Sequence, residues 1–147
     1  DQKWIDLGRK HLVRTTALLT STLQLKTGLA NGYMATIASS WGGLMKCPVV
    51  SGVLLNRRTG TWMHQMSVTG YWEHDELGLL FWVQNSWGAD THGICPSGAP
   101  PGGFWVKEAD MAYIIGQRDS YLYSQFDGFP LQDIDWTGEF LDAWSGK

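Results

Sequence analysis

Residues 62–88 read WMHQMSVTGYWEHDELGLLFWVQNSWG and predict a β-hairpin. Over 62–72 the residues alternate between two faces, which is typical of a strand. The polar segment 73–78 predicts the hairpin connection. Residues 79–84 are a short, nearly all-apolar run, typical of a strand that is buried on both faces. The two runs therefore predict neighbouring antiparallel strands.

The hairpin brings a histidine and an asparagine to the same end of the sheet. On the first strand, alternation puts the side chain of His64 on one face. The opposite face receives the side chains of Met63, Gln65 and Tyr71. Asn85 comes at the end of the second strand. Because cross-strand partners lie about 4.5–5.5 Å apart at Cβ, we expect His64 and Asn85 to be near neighbours.

The flanking sequence predicts further strands and two short helices. Thr20 or Ser21 is the expected cap of a helix over 22–30, which ends at Asn31-Gly32. A second helix is expected over 107–115. Further strands are predicted at 33–38, 49–55, 104–106 and 120–124. Residues 1–16 show no clean period. We therefore expect an α+β fold, with a mostly antiparallel sheet or half-barrel and one or two short helices.

The length and composition are those of an ordinary globular protein, and they indicate a single domain over 1–147. We expect its core at 20–126 and a tail of unassigned structure at 127–147. Near-helical spacing of apolar residues in the tail predicts an amphipathic segment that packs on another chain or on a missing N-terminal half. Those residues are Trp136, Phe140, Leu141 and Trp144. The acidic residues of the tail also suit the carboxylate pair of a glycosidase, but a solvated surface is the simpler interpretation.

Several classes of function are not supported by the sequence. A net charge of −3 without a long basic run gives no footprint for nucleic acid. No apolar run is long enough to span a membrane. No Cys or His spacing supports a metal site, and we expect no cofactor. The two cysteines, Cys47 and Cys95, either pair with each other or are unrelated thiols, and the second interpretation is favoured. The compartment stays open.

Three segments together resemble the papain-like cysteine peptidases. The C-terminal half of those enzymes carries a catalytic histidine in a His-x-x-x-x-x-Gly-Tyr strand, matched here at 64–71. An Asn-Ser-Trp-Gly motif follows an apolar strand, matched at 85–88, and precedes a glycine-rich loop. In the family that loop leads into a Gly-aromatic strand, matched at 103–106. Order and spacing agree over about residues 62–107, so this chain resembles the half that bears the histidine and asparagine.

The resemblance implies a thiol peptidase mechanism acting on a peptide substrate. In the family a histidine takes the proton of a cysteine, the thiolate attacks the peptide carbonyl, and the imidazolium protonates the leaving amine. Carried over by position, His64 is the base and acid, and Asn85 orients its ring. Trp87 is expected to cover the hydrogen bond between them and to bind substrate as part of the leaving-group side of the cleft. Met63 and Gln65 are expected near the substrate pocket.

The nucleophile of the family has no counterpart in this chain. That cysteine lies in a Cys-Gly-[Ser/Ala]-Cys-[Trp/Tyr] stretch about 130 to 150 residues before the His and Asn. Neither Met45-Lys-Cys-Pro48 nor Ile94-Cys-Pro96 resembles it. A proline directly after the cysteine also disfavours the entry into a helix that the family uses. The expected partner is therefore a Cys-bearing polypeptide, on another chain or in an N-terminal half that has been removed.

Two other functions fit the sequence. Nine tryptophans suit a non-catalytic structural or binding module of a larger assembly, such as a virion or surface complex. An intact hydrolase that uses Cys47 or Cys95 as an unconventional nucleophile is the third. The remaining histidines, His11, His74 and His92, have no such motif around them and are interpreted as surface residues.

Overall fold

Eight strands and three short helices make up the computed structural model, which describes residues 2–10, 12–96 and 98–126. The helices are α1 (Gln2–Gly8), α2 (Thr22–Ala30) and α3 (Glu108–Gly116). The strands are β1 (Val13–Leu18), β2 (Met34–Ser39), β3 (Val49–Val50), β4 (Val53–Asn56), β5 (His64–His74), β6 (Gly78–Gln84), β7 (Gly103–Lys107) and β8 (Ser120–Phe126). The interpretations of His11 and of the tail at 127–147 lie outside the described residues.

All eight strands join one sheet in the order β1-β8-β2-β5-β6-β7-β4-β3. Neighbouring strands are antiparallel, except that β4 runs parallel to β7. The predicted α+β class with a mostly antiparallel sheet is thus confirmed. The predicted hairpin forms the centre of the sheet, since β5 pairs with β6 from Ser67 opposite Gln84 to His74 opposite Gly78.

A β-bulge at Thr69 divides β5 into two segments. Val68 lies opposite Val83 and Gly70 lies opposite Trp82, so Thr69 is an extra residue on its strand. One extra residue moves every later side chain to the other face. Strict alternation predicted Tyr71 on the face opposite His64, and this was wrong, because after the bulge Tyr71 packs against the same core as Val68.

The sheet is buried on both faces at its centre. Phe81 and Val83 of β6 enter the main core, which α2 and α3 cover with residues such as Leu25 and Ile114. The alternate residues of β6 enter a second, smaller cluster on the other face, whose members include Leu80, Trp82, Val53 and Trp105. The prediction that 79–84 is buried on both sides is confirmed.

The helix boundaries follow from local capping. Ser21 is the N-cap of α2, and its side chain accepts a hydrogen bond from the backbone N–H of Gln24 at 3.2 Å. Asn31 is the C-cap, and Gly32 takes a positive φ of 80° directly after it. The predicted bounds of this helix are therefore confirmed, and the second helix lies one residue later than predicted.

Three elements differ from the expectation. The single strand predicted over 49–55 is two strands, because Ser51 and Gly52 both take positive φ and form a tight turn between β3 and β4. Residues 1–16, which show no clean period, hold α1 and most of β1. His74, expected in the turn, is the last residue of β5.

Gly103 begins β7 in a position where a side chain does not fit. A Cβ there would lie 2.5 Å from the carbonyl oxygen of Val83 and 2.5 Å from the indole of Trp82. Because one obstacle is backbone, we expect Gly103→Ala to lower the free energy of unfolding by about 1–3 kcal/mol. Urea unfolding of the two proteins measures the difference.

Gly70 provides the matched control, since it lies on the adjacent part of the sheet. Its nearest neighbour would be Trp82 Cβ at 3.8 Å, an ordinary contact. Gly70→Ala is expected to keep the unfolding midpoint or raise it slightly. Equal midpoints for the two variants would show that the backbone near Gly103 shifts to accommodate the added methyl group.

Candidate active site

His64 and Asn85 are brought together at one end of the β5–β6 hairpin. His64 is the first residue of β5, and Asn85 directly follows the last residue of β6. Nε2 of His64 lies 2.9 Å from Oδ1 of Asn85. Asn85 is buried, while His64 is half-buried. The prediction that the two side chains are near neighbours is confirmed.

The proton positions in this pair follow from a chain of hydrogen bonds that begins at a backbone carbonyl. The carbonyl oxygen of Met45 can only accept, so Nδ1 of His92, 2.9 Å away, carries a proton. Neutral His92 then has a bare Nε2, which accepts from the Asn85 amide Nδ2 at 2.9 Å. The Asn85 oxygen therefore faces His64, and it also accepts from the backbone N–H of Ser86 at 2.8 Å.

This chain fixes the tautomer of His64. Since Oδ1 of Asn85 can only accept, Nε2 of neutral His64 must donate. The lone pair of the imidazole is then on Nδ1, which takes part in none of the hydrogen bonds found among the described residues. The arrangement presents one basic ring nitrogen whose orientation is set by the asparagine behind it.

Trp87 lies against both imidazoles. Its ring stacks on His64 with centroids 4.8 Å apart and on His92 with centroids 5.8 Å apart. The indole is 40% exposed, so it lies between solvent and the buried polar chain. This is the position expected of a residue that limits the access of water to the hydrogen bond between His64 and Asn85.

His92 is buried, which corrects its interpretation as a surface residue. It is 2% exposed, and its ring packs nearly perpendicular to that of Phe104, with centroids 4.6 Å apart. Burial lowers the pKa of His92 below its ordinary value of 6.5, and the charges of Lys46 and His64 act in the same direction. The accepting carbonyls of Met45 and Leu44 oppose this shift without cancelling it. His92 is therefore held neutral.

The depressed pKa of His92 predicts that stability falls in mild acid. The unfolded chain binds the proton near pH 6.5, and folded His92 binds it only at lower pH, so the unfolded state is favoured as pH drops. We expect the free energy of unfolding to decrease below about pH 6.5, by at most about 1.4 kcal/mol per pH unit. Denaturant unfolding between pH 7 and 5 measures this slope.

His92→Gln is the control for that slope. Glutamine keeps an acceptor for Asn85 but does not titrate, so the pH dependence over this range should flatten even if overall stability falls. An unchanged slope in the variant would assign the acid sensitivity to other groups.

The remaining walls of the site are mostly aromatic. Trp41, Trp62 and Phe104 line a small cavity together with the residues of the hydrogen-bonded chain. One edge is the loop after β2, which Asn56 holds by accepting from the backbone N–H of Leu44 at 2.7 Å and donating to its carbonyl at 3.1 Å. Asn56 is itself buried. This loop supplies the Met45 carbonyl that fixes His92.

The two residues that flank His64 do not enter this cavity. Met63 is 76% exposed, and Gln65 is exposed on the face of β5 opposite His64. Neither lines the cavity. Their expected contact with a substrate stays a prediction.

Cys47 and Cys95 are not joined in a disulfide, as favoured from the sequence. Desolvation by burial raises the pKa of Cys47 to about 12, which opposes formation of the thiolate that a nucleophile needs. Its sulfur lies 3.8 Å from the Leu44 carbonyl oxygen. Cys95 packs against the cluster on the other face of the sheet. These surroundings disfavour either thiol as the nucleophile.

Protein-family models, curated proteins and solved structures were compared with this chain. None of them matches it. Within 2–10, 12–96 and 98–126 no group of His, Cys, Asp and Glu side chains has the geometry of a metal site. None of the helices in these ranges is long and apolar enough to cross a membrane.

Sequence reasoning predicted that His64, Asn85 and Trp87 lie together, but it did not place His92, Asn56 and Trp41 beside them. His92 and Trp41 lie in loops, where no periodicity reports burial. Asn56 ends a short strand, and its side chain acts on a loop that a sequence pattern does not place. Only the tertiary structure brings these residues to the site.

Proposed function

We propose that this chain supplies the histidine and asparagine of a papain-like cysteine peptidase, with the cysteine carried by a polypeptide outside the described residues. The observation that carries the proposal is the oriented His64–Asn85 pair, in which the basic Nδ1 of His64 has no hydrogen-bond partner among the described residues. A buried, doubly satisfied asparagine beside a half-buried histidine is costly to build for packing alone. It suits a base that must keep one orientation.

The chemistry that this pair supports is acyl transfer through sulfur. Nδ1 of His64 takes the proton of the cysteine, and the thiolate forms a C–S bond with the peptide carbonyl carbon. The same nitrogen then gives the proton to the leaving amine as the C–N bond breaks. Water, deprotonated by Nδ1, attacks the thioester, and the C–S bond breaks to release the acid and restore the thiol.

Asn85 suits this cycle because its carboxamide is neutral. It orients the imidazolium through Nε2 without offering a competing anion, so the thiolate remains the main anionic partner of the positive ring. Such pairing is associated with a cysteine pKa of roughly 3 to 4. Trp87, stacked on His64, keeps the supporting hydrogen bond away from bulk water.

The surface in front of His64 suits a second polypeptide. Trp62 and Trp87 line the cavity beside His64 and are 42% and 40% exposed. Exposed apolar groups that cluster in this way favour an interface. The cysteine-bearing partner is proposed to cover this surface, with the substrate groove between them.

The test is to isolate the native protein, measure the mass of every associated polypeptide, and assay hydrolysis of a fluorogenic peptide mixture with and without a thiol reductant. We expect thiol-dependent hydrolysis that an alkylating reagent abolishes, and a reactive cysteine located by mass spectrometry outside residues 1–147. The purified chain alone is expected to be inactive.

A double variant, Cys47→Ser with Cys95→Ser, separates this proposal from the alternative of an internal nucleophile. It should retain the activity of the native species if the cysteine is elsewhere. Loss of activity in a folded double variant would place the nucleophile in this chain. Absence of any thiol-dependent hydrolysis and of a reactive cysteine would instead favour a non-catalytic module.

A further inference from the structure

His92 occupies a position in which every polar atom of its ring is used. Nδ1 donates to the Met45 carbonyl and Nε2 accepts from Asn85, both at 2.9 Å. The ring is 2% exposed and packs between Trp87 and Phe104. Its own backbone carbonyl accepts from the N–H of Cys47 at 2.9 Å. Ring and backbone are therefore held by the loop that follows β2.

The Asn85 carboxamide has one orientation that satisfies all its neighbours. As it stands, Oδ1 accepts from His64 and from the backbone of Ser86, and Nδ2 donates to His92. Rotating the amide by 180° would place its NH₂ against the Ser86 N–H and its oxygen against the bare nitrogen of His92. Buried groups of like polarity that face each other are strongly disfavoured. The acceptor on His92 thus selects the orientation of Asn85.

We propose that His92 is a positioning residue that fixes the carboxamide of Asn85, and through it the tautomer of His64, and that it does so only while its own imidazole is neutral. Its catalytic consequence rests on the proposed function, whereas its structural part does not. The site then contains two histidines with different tasks. His64 exchanges protons at Nδ1, and His92 keeps both its protonation state and its position.

The charged groups around His92 support the neutral form. Lys46 is close enough to disfavour a second positive charge, and its ammonium donates to the Asp90 carbonyl at 2.8 Å, which keeps it beside the loop. Protonated His64 acts in the same direction. A proton on Nε2 of His92 would also point at the Asn85 NH₂, so that two donors would face each other. Protonation therefore removes the contact that sets Asn85.

Two variants of His92 distinguish its role as a hydrogen-bond acceptor for Asn85 from the packing of its ring. His92→Phe keeps a ring between Trp87 and Phe104 but gives Asn85 no acceptor. His92→Gln offers an acceptor near the place of Nε2 and cannot take up a proton in this pH range. If His92 only fills space, phenylalanine is the milder change. If it positions Asn85, glutamine is the milder change.

The experiment is ¹⁵N NMR of the imidazole nitrogens in the full chain at pH 7.5. In the unsubstituted protein we expect Nε2 of His64 to be protonated, Nδ1 to be bare, and a scalar coupling to connect Asn85 Nδ2 with a bare Nε2 of His92. His92→Phe should give a mixture of His64 tautomers, and His92→Gln should restore the single one. The coupling is measured in the unsubstituted protein, so it tests the hydrogen bond from Asn85 to His92 even if His92→Phe fails to fold.

Two results would overturn the inference. One is a protonated Nε2 on His92 in the unsubstituted protein, and the other is an unchanged single His64 tautomer in folded His92→Phe. Where the native species hydrolyses peptides, kcat should fall about tenfold or more in His92→Phe and recover at least in part in His92→Gln. Absence of hydrolysis with the expected NMR result would reject the proposed function and leave the positioning role intact.

Discussion

His64→Ala is expected to reduce kcat/KM of thiol-dependent peptide hydrolysis by about 10⁴-fold or more. One nitrogen, Nδ1 of His64, would activate the cysteine, protonate the leaving amine and deprotonate water. Alanine removes all three tasks at once, and no other histidine of the described chain offers a free basic nitrogen at this position. Steady-state hydrolysis of a fluorogenic peptide by the native species measures the loss.

His74→Ala is the matched control for that experiment. His74 is at the other end of β5, where Nε2 lies 3.1 Å from the Ser51 carbonyl oxygen and Nδ1 accepts from the backbone N–H of Glu76. Its replacement disturbs a turn but leaves the site untouched, so hydrolysis should persist. Activity in folded His64→Ala equal to that of the control would reject the peptidase function for this site.

Phe104→Ala is expected to have the largest effect on stability, a loss of about 3–5 kcal/mol in the free energy of unfolding. Phe104 is 1% exposed and stacks with Trp41 at 6.2 Å between centroids. Its ring also contacts the His92 ring. Alanine leaves a void between the sheet and the loops of the site. Thermal and urea unfolding measure the cost.

A variant of the surface residue Trp4 is the control for this loss of stability. Trp4 is on α1 and 65% exposed, so Trp4→Ala should change stability by less than about 0.5 kcal/mol. A loss near 1 kcal/mol in Phe104→Ala would mean that the loops collapse into the void. Displaced His92 resonances in the same variant would identify that collapse.

The central hairpin was predictable because its pattern is local. Alternation over 62–72 and the apolar run over 79–84 specify strands without reference to the rest of the chain, and together they place His64 beside Asn85. The bounds of α2 were predictable for the same reason. Ser21 and Gly32 are helix start and stop signals, and such signals act within one turn of the chain.

The features that were missed depend on contacts distant in sequence. His92 is buried by Trp87, Phe104 and the loop after β2. The residues around it in the sequence form no pattern that predicts its burial. The turn at Ser51 requires a positive φ at a residue other than glycine or asparagine, so its sequence reads as continuous strand. A bulge likewise leaves no mark in the pattern of Val68, Thr69 and Gly70.

The extra residue Thr69 changes which positions of β5, the longest strand, face each side of the sheet. Before it, even-numbered residues such as Val68 pack in the main core. After it, even-numbered residues such as Trp72 face the opposite aromatic cluster, where Trp72 meets Trp105 edge to face at 5.7 Å. A strand that kept Thr69 without the bulge would turn Tyr71 toward the aromatic cluster and Trp72 toward the main core, so the characters of positions 71 and 72 would have to be exchanged to keep both layers filled.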